Sequence, residues 1–330
     1  MTTSKPIFVV TGAAGFIGSC LMDALLERYP DHDIIAVDDF SPDTKRPNHA
    51  NKRIAKYIHR DIFPAQANMD AGRIKAVFHL GARTDTTEKN TEIFDRLNLG
   101  YTKDVWRWCI THDIPLIYAS SAATYGGGEH GYHDRHDIVP LLQPLNPYGR
   151  SKNDFDIWAL RQENTPPHWY GLKFFNVYGP NEYHKGRMAS VIFHAFNQIR
   201  STGKMRLFQS HRSGIENGLQ MRDFIYVKDV VDMCLFFYEK RPESGLYNIG
   251  TGKARSFLDL VRAVFSAMDR PENIDFIPIP EDIRDTYQYF TEADMSKLTE
   301  AGYEMAGIRP LEEGIHQYVQ DYLLQDFKIL

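Results

Sequence analysis

The stretch Ile7–Gly18, I-F-V-V-T-G-A-A-G-F-I-G, decides how the rest of the chain is read. Its first five residues are apolar or β-branched, which predicts a short buried strand. Gly12, Gly15 and Gly18 follow, with Phe16 and Ile17 between the last two, and Phe16–Arg28 has the pattern of a helix. A strand, a glycine turn and a helix N-terminus in that order form an anion cradle. Glycine allows the backbone a close approach, and the free N–H groups and dipole of the helix start face a pyrophosphate. The spacing is G-x-x-G-x-x-G rather than G-x-G-x-x-G. A glycine triplet alone is weak evidence; its position between a strand and a helix gives it weight.

Outward from this stretch, Ile34–Asp38, Ala76–Leu80, Leu116–Ser120 and Trp169–Phe175 also read as buried strands, with helical pattern around Thr102–Ile110. Strands alternating with helices predict an α/β, Rossmann-like doubly wound parallel sheet with both faces covered. Ligands of such sheets sit beyond the carboxyl ends of the strands. Tyr178–Arg222 is less regular; Phe224–Val227 and Gly245–Ile249 return to strand pattern. Ser256–Met268 reads as a helix, Ile277–Pro280 is Pro-rich, and Leu311–Leu324 reads as a terminal helix serving as a lid or cap. The expected division is a nucleotide-binding domain of residues 1–175 with 223–254 and 287–305. A smaller α/β substrate domain would take 176–222 with 255–286 and 306–330.

Composition narrows the function classes. Of 330 residues, 38 are Lys or Arg and 43 Asp or Glu, so a net charge of −5 offers no basic surplus for nucleic acid. The 43% hydrophobic and 25% charged content is that of a globular enzyme-sized chain. No apolar run reaches the ~18–20 residues needed to span a bilayer, so no membrane association is expected. The polar start, Met1–Pro6, shows no signal peptide. Cys20, Cys109 and Cys234 are far apart and odd in number, as for reduced thiols in a cytoplasm. Nothing has metal-ligand spacing, and no metal is expected.

The residues after each strand suggest the chemistry. Asp38 and Asp39 end the second strand, where a carboxylate meets an adenosine ribose and favours NAD. Lys45 and Arg46 follow; they either neutralise a 2′-phosphate, as in NADP, or are solvated loop charges. Asp61 and Ile62 are candidates for the adenine edge. Leu80, Gly81 and Ala82 close the fourth strand with a close-approach segment, and His79 within it reads as a packed histidine. Tyr148 and Lys152, in P-Y-G-R-S-K, stand four apart and share a helix face if a helix starts near Pro147. A phenol titrates at about 10. A fixed ammonium nearby is expected to lower that value and let Tyr148 exchange protons near neutrality. Ser121 lies just past a strand, placed to hydrogen-bond the reacting oxygen. Together with the cradle, Ser121, Tyr148 and Lys152 form a dehydrogenase-type constellation.

These residues resemble the extended short-chain dehydrogenase/reductases that act on nucleotide sugars, over almost the full length. Within them the chain is similar to the ADP-L-glycero-D-manno-heptose 6-epimerase family. The resemblance rests on Y-A-S-S-A-A-T-Y-G (118–126), F-N-V-Y-G-P-N-E-Y-H-K-G-R-M-A-S (175–190) and R-D-F-I-Y-V-K-D-V (222–230). Y-N-I-G-T-G-K-A-R-S-F (247–257) and Y-Q-Y-F-T-E-A-D (287–294) add to it. It implies inversion of C6 of an ADP-linked heptose, a lipopolysaccharide inner-core precursor, by oxidation to an aldehyde and re-reduction with tightly bound NADP, NAD being the other possible cofactor. It implies that Tyr148 and Lys185 are the acid/base pair, one for each face; a basic-loop phosphate contact is the other reading of Lys185. Lys152 would hold the nicotinamide ribose. Asn98, Asn176, Val177 and Lys45 fall at the family's cofactor or substrate positions. Arg187, His194, Phe208, Arg222 and Tyr287 fall at its substrate positions, Ser121 and Lys185 also facing the sugar. A homo-oligomer, a pentamer, is implied as well.

The chain departs from the family pattern in three places. The connection between Phe208 and Arg222 is longer, with His211 and Arg212 read as nucleotide contacts or, preferably, as solvent-loop residues. Arg187 stands where a small residue is commoner. Gly127–Gln143 differs and is His-rich, with His130, His133 and His136; it is expected to be a surface loop. The main alternative is a UDP-hexose 4-epimerase type of enzyme, which needs no base at Lys185. A dehydratase would place Asp-Glu where this chain has Ala122 and Ala123. A non-catalytic NADP-sensing protein would not be expected to keep both Tyr148 and Lys152.

Overall fold

The apolar runs form the central sheet of the computed structural model, which describes residues 5–284 and 287–330. The first four residues of the polar N-terminal stretch, and residues 285–286 at the end of one expected substrate-domain segment, lie outside it. The strands are β1 (Ile7–Thr11), β2 (Asp33–Asp38), β3 (Lys56–His59), β4 (Ile74–His79), β5 (Leu116–Ser121), β6 (Trp169–Phe174) and β7 (Asn176–Tyr178). They continue with β8 (Met205–Phe208), β9 (Met221–Tyr226), β10 (Gly245–Ile249), β11 (Ala254–Ser256) and β12 (Ile274–Ile277). Seven make one sheet in the order β10-β6-β5-β4-β1-β2-β3, and every pairing in it is parallel. This is the expected doubly wound arrangement. The order reverses beside β1, so the C-terminal ends of β1 and β4 border a crevice.

The longer helices are α1 (Phe16–Arg28), α2 (Tyr101–Thr111), α3 (Pro147–Leu160), α4 (Val191–Thr202), α5 (Val227–Lys240), α6 (Phe257–Ala267) and α7 (Leu311–Tyr318). Helix α3 begins where Asn146 accepts a hydrogen bond from the Gly149 N–H (2.8 Å), with Pro147 in its first turn. A π-helical turn, Asp95–Gly100, leads into α2. Strand β9 lies between β7 and β11, and β8 pairs with β12. The expected domain cuts at 222/223 and 254/255 therefore fall inside β9 and β11, and the two units share that sheet. One buried cluster runs from Phe8 in β1 through Tyr178 and Phe196 to Tyr318. The terminal helix-like stretch packs into this core rather than lying over it as a lid, with Ile315, Tyr318 and Val319 fully buried.

The His-rich segment is a surface loop, with His130, His133 and His136 exposed, that is also bonded to the sheet. Strand β10 is a sheet edge, and its outward N–H groups need acceptors. The Leu246 N–H donates to His136 Nε2 (3.1 Å) and the Asn248 N–H to buried Asp134 (2.8 Å). Lys297 donates to the Leu246 carbonyl (2.8 Å). The segment thus blocks the edge from pairing with another chain.

His136 is exposed as a residue, but partial desolvation of its ring against β10, assisted by Lys297, lowers the imidazole to about 4. In the unfolded chain it titrates near about 6.5. The unfolded state therefore binds the extra proton first, and stability falls as pH drops from about 6.5 towards 4. His136→Ala is expected to lose about 1 kcal/mol at neutral pH and to show a shallower acid loss than the unsubstituted chain. Urea denaturation at several pH values measures both.

Candidate active site

The cradle forms because backbone must touch backbone. Gly12 has φ +69°, and a Cβ on it would lie 2.6 Å from the Gly81 nitrogen. A Cβ on Gly18 would lie 2.2 Å from the Gly12 carbonyl oxygen. The β1–α1 turn and the end of β4 can therefore close together only without side chains. Gly15 caps α1 without a side-chain acceptor, which leaves the first N–H groups of the helix free for an anion.

A cavity of ≈ 550 Å³ opens over this turn. Gly12, Gly15, Phe16, Ile17 and Gly18 line one side, and Leu80, Gly81 and Ala82 another. Asp38, Asp39 and Lys45 line its far end. The Asp38 carboxylate accepts from the Ala14 N–H (2.9 Å), the Asp39 N–H (2.7 Å) and Lys45 Nζ (3.1 Å). Asp61 and Ile62 do not line it. They sit on an exposed 3-10 turn, Asp61 turned to its own neighbours His59 and Arg60. The residue that enters the cavity there is Arg60, paired with Asp39 at 3.3 Å. Arg60 Nε and the Tyr101 hydroxyl, both on cavity-lining residues, are buried and have no hydrogen-bond partner among the described residues. A cradle that excludes side chains, free helix N–H groups and unpartnered polar atoms fit a dinucleotide.

A second cavity of ≈ 210 Å³ adjoins the first and shares Phe16, Ile17, Leu80, Ala82, Thr84 and Lys185 with it. Ser121, Tyr148, Lys152 and Val177 are also in its wall. Tyr148 is partly open to the cavity, but its hydroxyl sits deep among protein atoms. Burial pushes the phenol above its ordinary value, and a hydrogen bond with Ser121 offsets part of this. The downward shift expected from Lys152 is absent. The Lys152 ammonium is committed to the Ala119 carbonyl (2.8 Å), and burial pushes Lys152 itself down to about 8. Asp156, one helical turn further along α3, opposes that shift. Its carboxylate accepts from Tyr118 (3.0 Å), Ser120 (2.6 Å) and Lys173 (2.7 Å), all buried.

Lys185 comes from the turn Tyr183–Met188, with its ammonium 5.3 Å from the Phe16 ring centroid. Burial pushes it below the ordinary lysine value, and Glu182 opposes. Buried Glu182 anchors this turn by accepting from the Gly179 N–H (3.3 Å), the Ser190 N–H and the Ser190 hydroxyl (2.7 Å). Asn48 ties the turn to the cradle, donating to the Ala14 (3.1 Å) and Asn181 (3.0 Å) carbonyls and meeting His184 Nδ1 at 3.3 Å. Asn48 carried no sequence signal, because it acts through partners distant in the chain; Glu182 lies inside the 175–190 motif but was not singled out, although its partners are only three and eight residues away.

The remaining candidates lie elsewhere. Asn98 is buried beneath the cleft and clamps the backbone of Arg83. Asn176 is exposed beside Val177. Arg187 is exposed and pairs with Asp85 (3.3 Å) and Thr87, and His194 Nε2 meets the Arg187 carbonyl at 3.4 Å. Phe208, Arg222 and Tyr287 form a separate cluster. The Arg222 guanidinium lies 5.6 Å from both the Phe257 and Tyr287 ring centroids, and Phe208 meets Tyr287 edge-on at 6.0 Å. His211 and Arg212 extend it: Tyr289 lies 2.9 Å from His211 Nδ1 and under the Arg212 guanidinium at 4.5 Å.

A dinucleotide cleft that opens at one end onto a chamber of proton-transfer groups defines a Rossmann-fold enzyme of the dehydrogenase type. The chain belongs to the NAD dependent epimerase/dehydratase family, whose sequence profile matches residues 8–250. It is 46% identical to the ADP-L-glycero-D-manno-heptose-6-epimerase of Fusobacterium nucleatum, across 97% of this chain and 99% of that one. The enzyme of that name from Nitratidesulfovibrio vulgaris is 45% identical, across 96% and 98%. The crystal structure of the Helicobacter pylori ADP-L-glycero-D-manno-heptose-6-epimerase superposes with a TM-score of 0.79 at 25% identity, covering 96% of each chain. No helix among the described residues is long and apolar enough to cross a membrane, and no metal-binding cluster is found among them.

Gly18→Ala is expected to lose about 1–3 kcal/mol of stability, because its new Cβ meets backbone rather than a side chain that can turn away. It should also remove dinucleotide binding. Melting curves with and without NADP test this: ligand should raise the melting temperature of the unsubstituted chain and not that of the variant.

Proposed function

We propose that this chain converts ADP-D-glycero-D-manno-heptose to ADP-L-glycero-D-manno-heptose by inverting C6, a step towards the lipopolysaccharide inner core. The observation that carries this reading is near-full-length identity of 45–46% to relatives of that name. Tyr148 and Lys185 on the wall of one chamber agree with it. The bound nicotinamide dinucleotide supplies reversible hydride transfer at C6. Because a heptose carries a further carbon beyond C6, the carbonyl formed there is a ketone, not the aldehyde expected from the sequence.

The chain's own residues handle the protons and the orientation. Ser121 hydrogen-bonds the C6 oxygen. Tyr148 takes or returns its proton from one face, and Lys185 does so from the other. Two groups are needed because the oxygen points in opposite directions before and after inversion, and one fixed base reaches only one of them. Burial pushes Lys185 below the ordinary lysine value, which moves it in the direction a proton-exchanging lysine needs. Lys152, fixed on the Ala119 carbonyl, orients the nicotinamide ribose. NADP is preferred over NAD because Lys45 and Arg60 are both at the adenosine end of the cleft. Phe208, Arg222 and Tyr287 would hold the ADP part, with arginine on the diphosphate. Asn176, Arg187 and His194 would border the sugar's approach. The reading places the enzyme in the cytoplasm, where free, buried cysteines persist, as a homo-oligomer of five copies.

The test is incubation of the purified protein with ADP-D-glycero-D-manno-heptose and, separately, UDP-galactose, without added cofactor. The products are read by NMR. Inversion of the heptose alone, at C6, is the expected result; conversion of UDP-galactose alone would move the chain to the 4-epimerases. Tyr148→Phe and Lys185→Met should each lower turnover by about 10²–10⁴ while leaving bound dinucleotide unchanged. Near-normal turnover in Lys185→Met would remove the second base.

A further inference from the structure

A buried chain of hydrogen bonds joins the two cavities from behind. The Gly81 N–H donates to Thr11 Oγ1 (3.2 Å), and Thr11 Oγ1 lies 2.7 Å from His79 Nδ1. On the other side of the ring, His79 Nε2 lies 3.0 Å from Thr102 Oγ1, which donates to the Asn98 carbonyl (2.5 Å). The Asn98 side chain then accepts from the Arg83 N–H (2.8 Å) and donates to the Arg83 carbonyl (3.0 Å) and Ser151 Oγ (3.0 Å). Ser151 donates to the Tyr148 carbonyl (2.7 Å). Thr11, His79, Asn98, Thr102 and Ser151 are all at least 97% buried. Thr11 and Gly81 wall the dinucleotide cavity at one end of the chain; Tyr148 walls the chamber at the other.

The proton positions along this chain follow from counting. The Thr102 proton is committed to Asn98, so its oxygen must accept, and His79 Nε2 must carry a hydrogen. A neutral ring with its hydrogen on Nε2 has a bare Nδ1, so Thr11, whose oxygen also accepts from Gly81, donates its proton there. Every group donates and accepts in one direction. The ring is neutral: burial, with Lys152 acting the same way, pushes His79 down to about 3. No solvent reaches the chain to substitute for a missing member, so a buried donor left alone carries its full desolvation cost.

We propose that His79 is a positioning residue that, locked as the Nε2–H tautomer, fixes the dinucleotide cradle and the catalytic helix in one register. It lines neither cavity. It acts on Gly81 through Thr11, and on Arg83 and α3 through Thr102 and Asn98. Hydride transfer needs the two ends of the site aligned within a fraction of an ångström, which gives such a tie its purpose. The inference rests on the dinucleotide reading of the cleft and on Tyr148 as the proton-transfer group.

The experiment compares Thr102→Val, which keeps the shape and removes the hydroxyl, with Thr102→Ser, which restores it. NADPH release is followed by stopped-flow fluorescence, separately from epimerisation. Thr102→Val should speed release roughly tenfold, and Thr102→Ser should stay within about twofold of the unsubstituted protein. Ser151→Ala breaks the same chain at its far end, so the turnover loss in Thr102→Val/Ser151→Ala should fall short of the product of the two single losses. Equal release from the Val and Ser variants, or a double loss equal to that product, would overturn the relay. A measurement that needs no variant guards against misfolding: ¹⁵N spectra of histidine-labelled protein should show His79 with a hydrogen on Nε2 alone from about pH 5 to about pH 8, the range around the usual imidazole value of about 6.5. A hydrogen on Nδ1, or titration in that range, overturns the proposal. If the unsubstituted protein bound no dinucleotide, the cofactor reading and the relay would fall together; if it binds and only the variant comparison fails, the relay alone falls.

Discussion

The contact on which this molecule depends is one of backbone against backbone, where Gly12 meets Gly81. It brings the ends of β1 and β4 closer than side chains allow, with a Cβ at either glycine coming within 2.9 Å of the other's backbone. Three consequences follow. The turn after β1 is flat enough to leave the α1 N–H groups open. The segment after β4 runs along the cleft instead of filling it. Thr11 and His79, at the two strand ends, come within hydrogen-bonding distance. Cofactor site, substrate approach and buried relay all begin at that contact.

A second constraint sets the catalytic helix. Helix α3 is fixed to β5 by two of its residues a turn apart: Lys152 donates to the Ala119 carbonyl, and Asp156 accepts from Tyr118 and Ser120. The Asp156–Lys173 ion pair at this junction has no solvent exposure. An unsupported pair at such depth would cost more in lost hydration than its attraction returns. Here Tyr118, Ser120 and Thr124 supply further hydrogen bonds to the two charges, so the pair is satisfied. Its value lies in direction as much as energy, since only one placement of α3 meets all these partners, and that placement puts Tyr148 beside Ser121.

How legible this was in the sequence depends on how local each signal is. The cradle, the strands around it and the start of α3 at Pro147 are written in contiguous residues, and there turn chemistry and capping give direct readings. The resemblance added Lys185, which no local pattern singles out. Asp61 and Ile62 were read where Arg60 enters the cavity, because a single residue's rotation in a 3-10 turn leaves no trace in composition. The acidity of Tyr148 was misjudged for a related reason. Spacing places Lys152 on the same face but does not say that its ammonium is spent on a strand carbonyl. The tie between the His-rich surface segment and β10 left no local signal, because its partners, Leu246 and Asn248, are more than a hundred residues away.

The Lys185 turn shows how the fold can supply a second proton-transfer group without a second helix. Gly186 has φ +54° with open space where a Cβ would stand, so the turn bends there without strain. Flexibility alone would be harmful, because a base must hold its position. Glu182 removes it on one side by gathering three donors from Gly179 and Ser190, and Asn48 removes it on the other by joining the turn to the cradle. The same carboxylate that anchors the turn also favours the charged form of Lys185, against the burial that disfavours it. One residue thus acts on both position and protonation. A lysine on a loop so held can work opposite a tyrosine on a helix, and the two differ in what they ask of the fold: the tyrosine needs register between α3 and β5, the lysine needs a turn tied down at both ends.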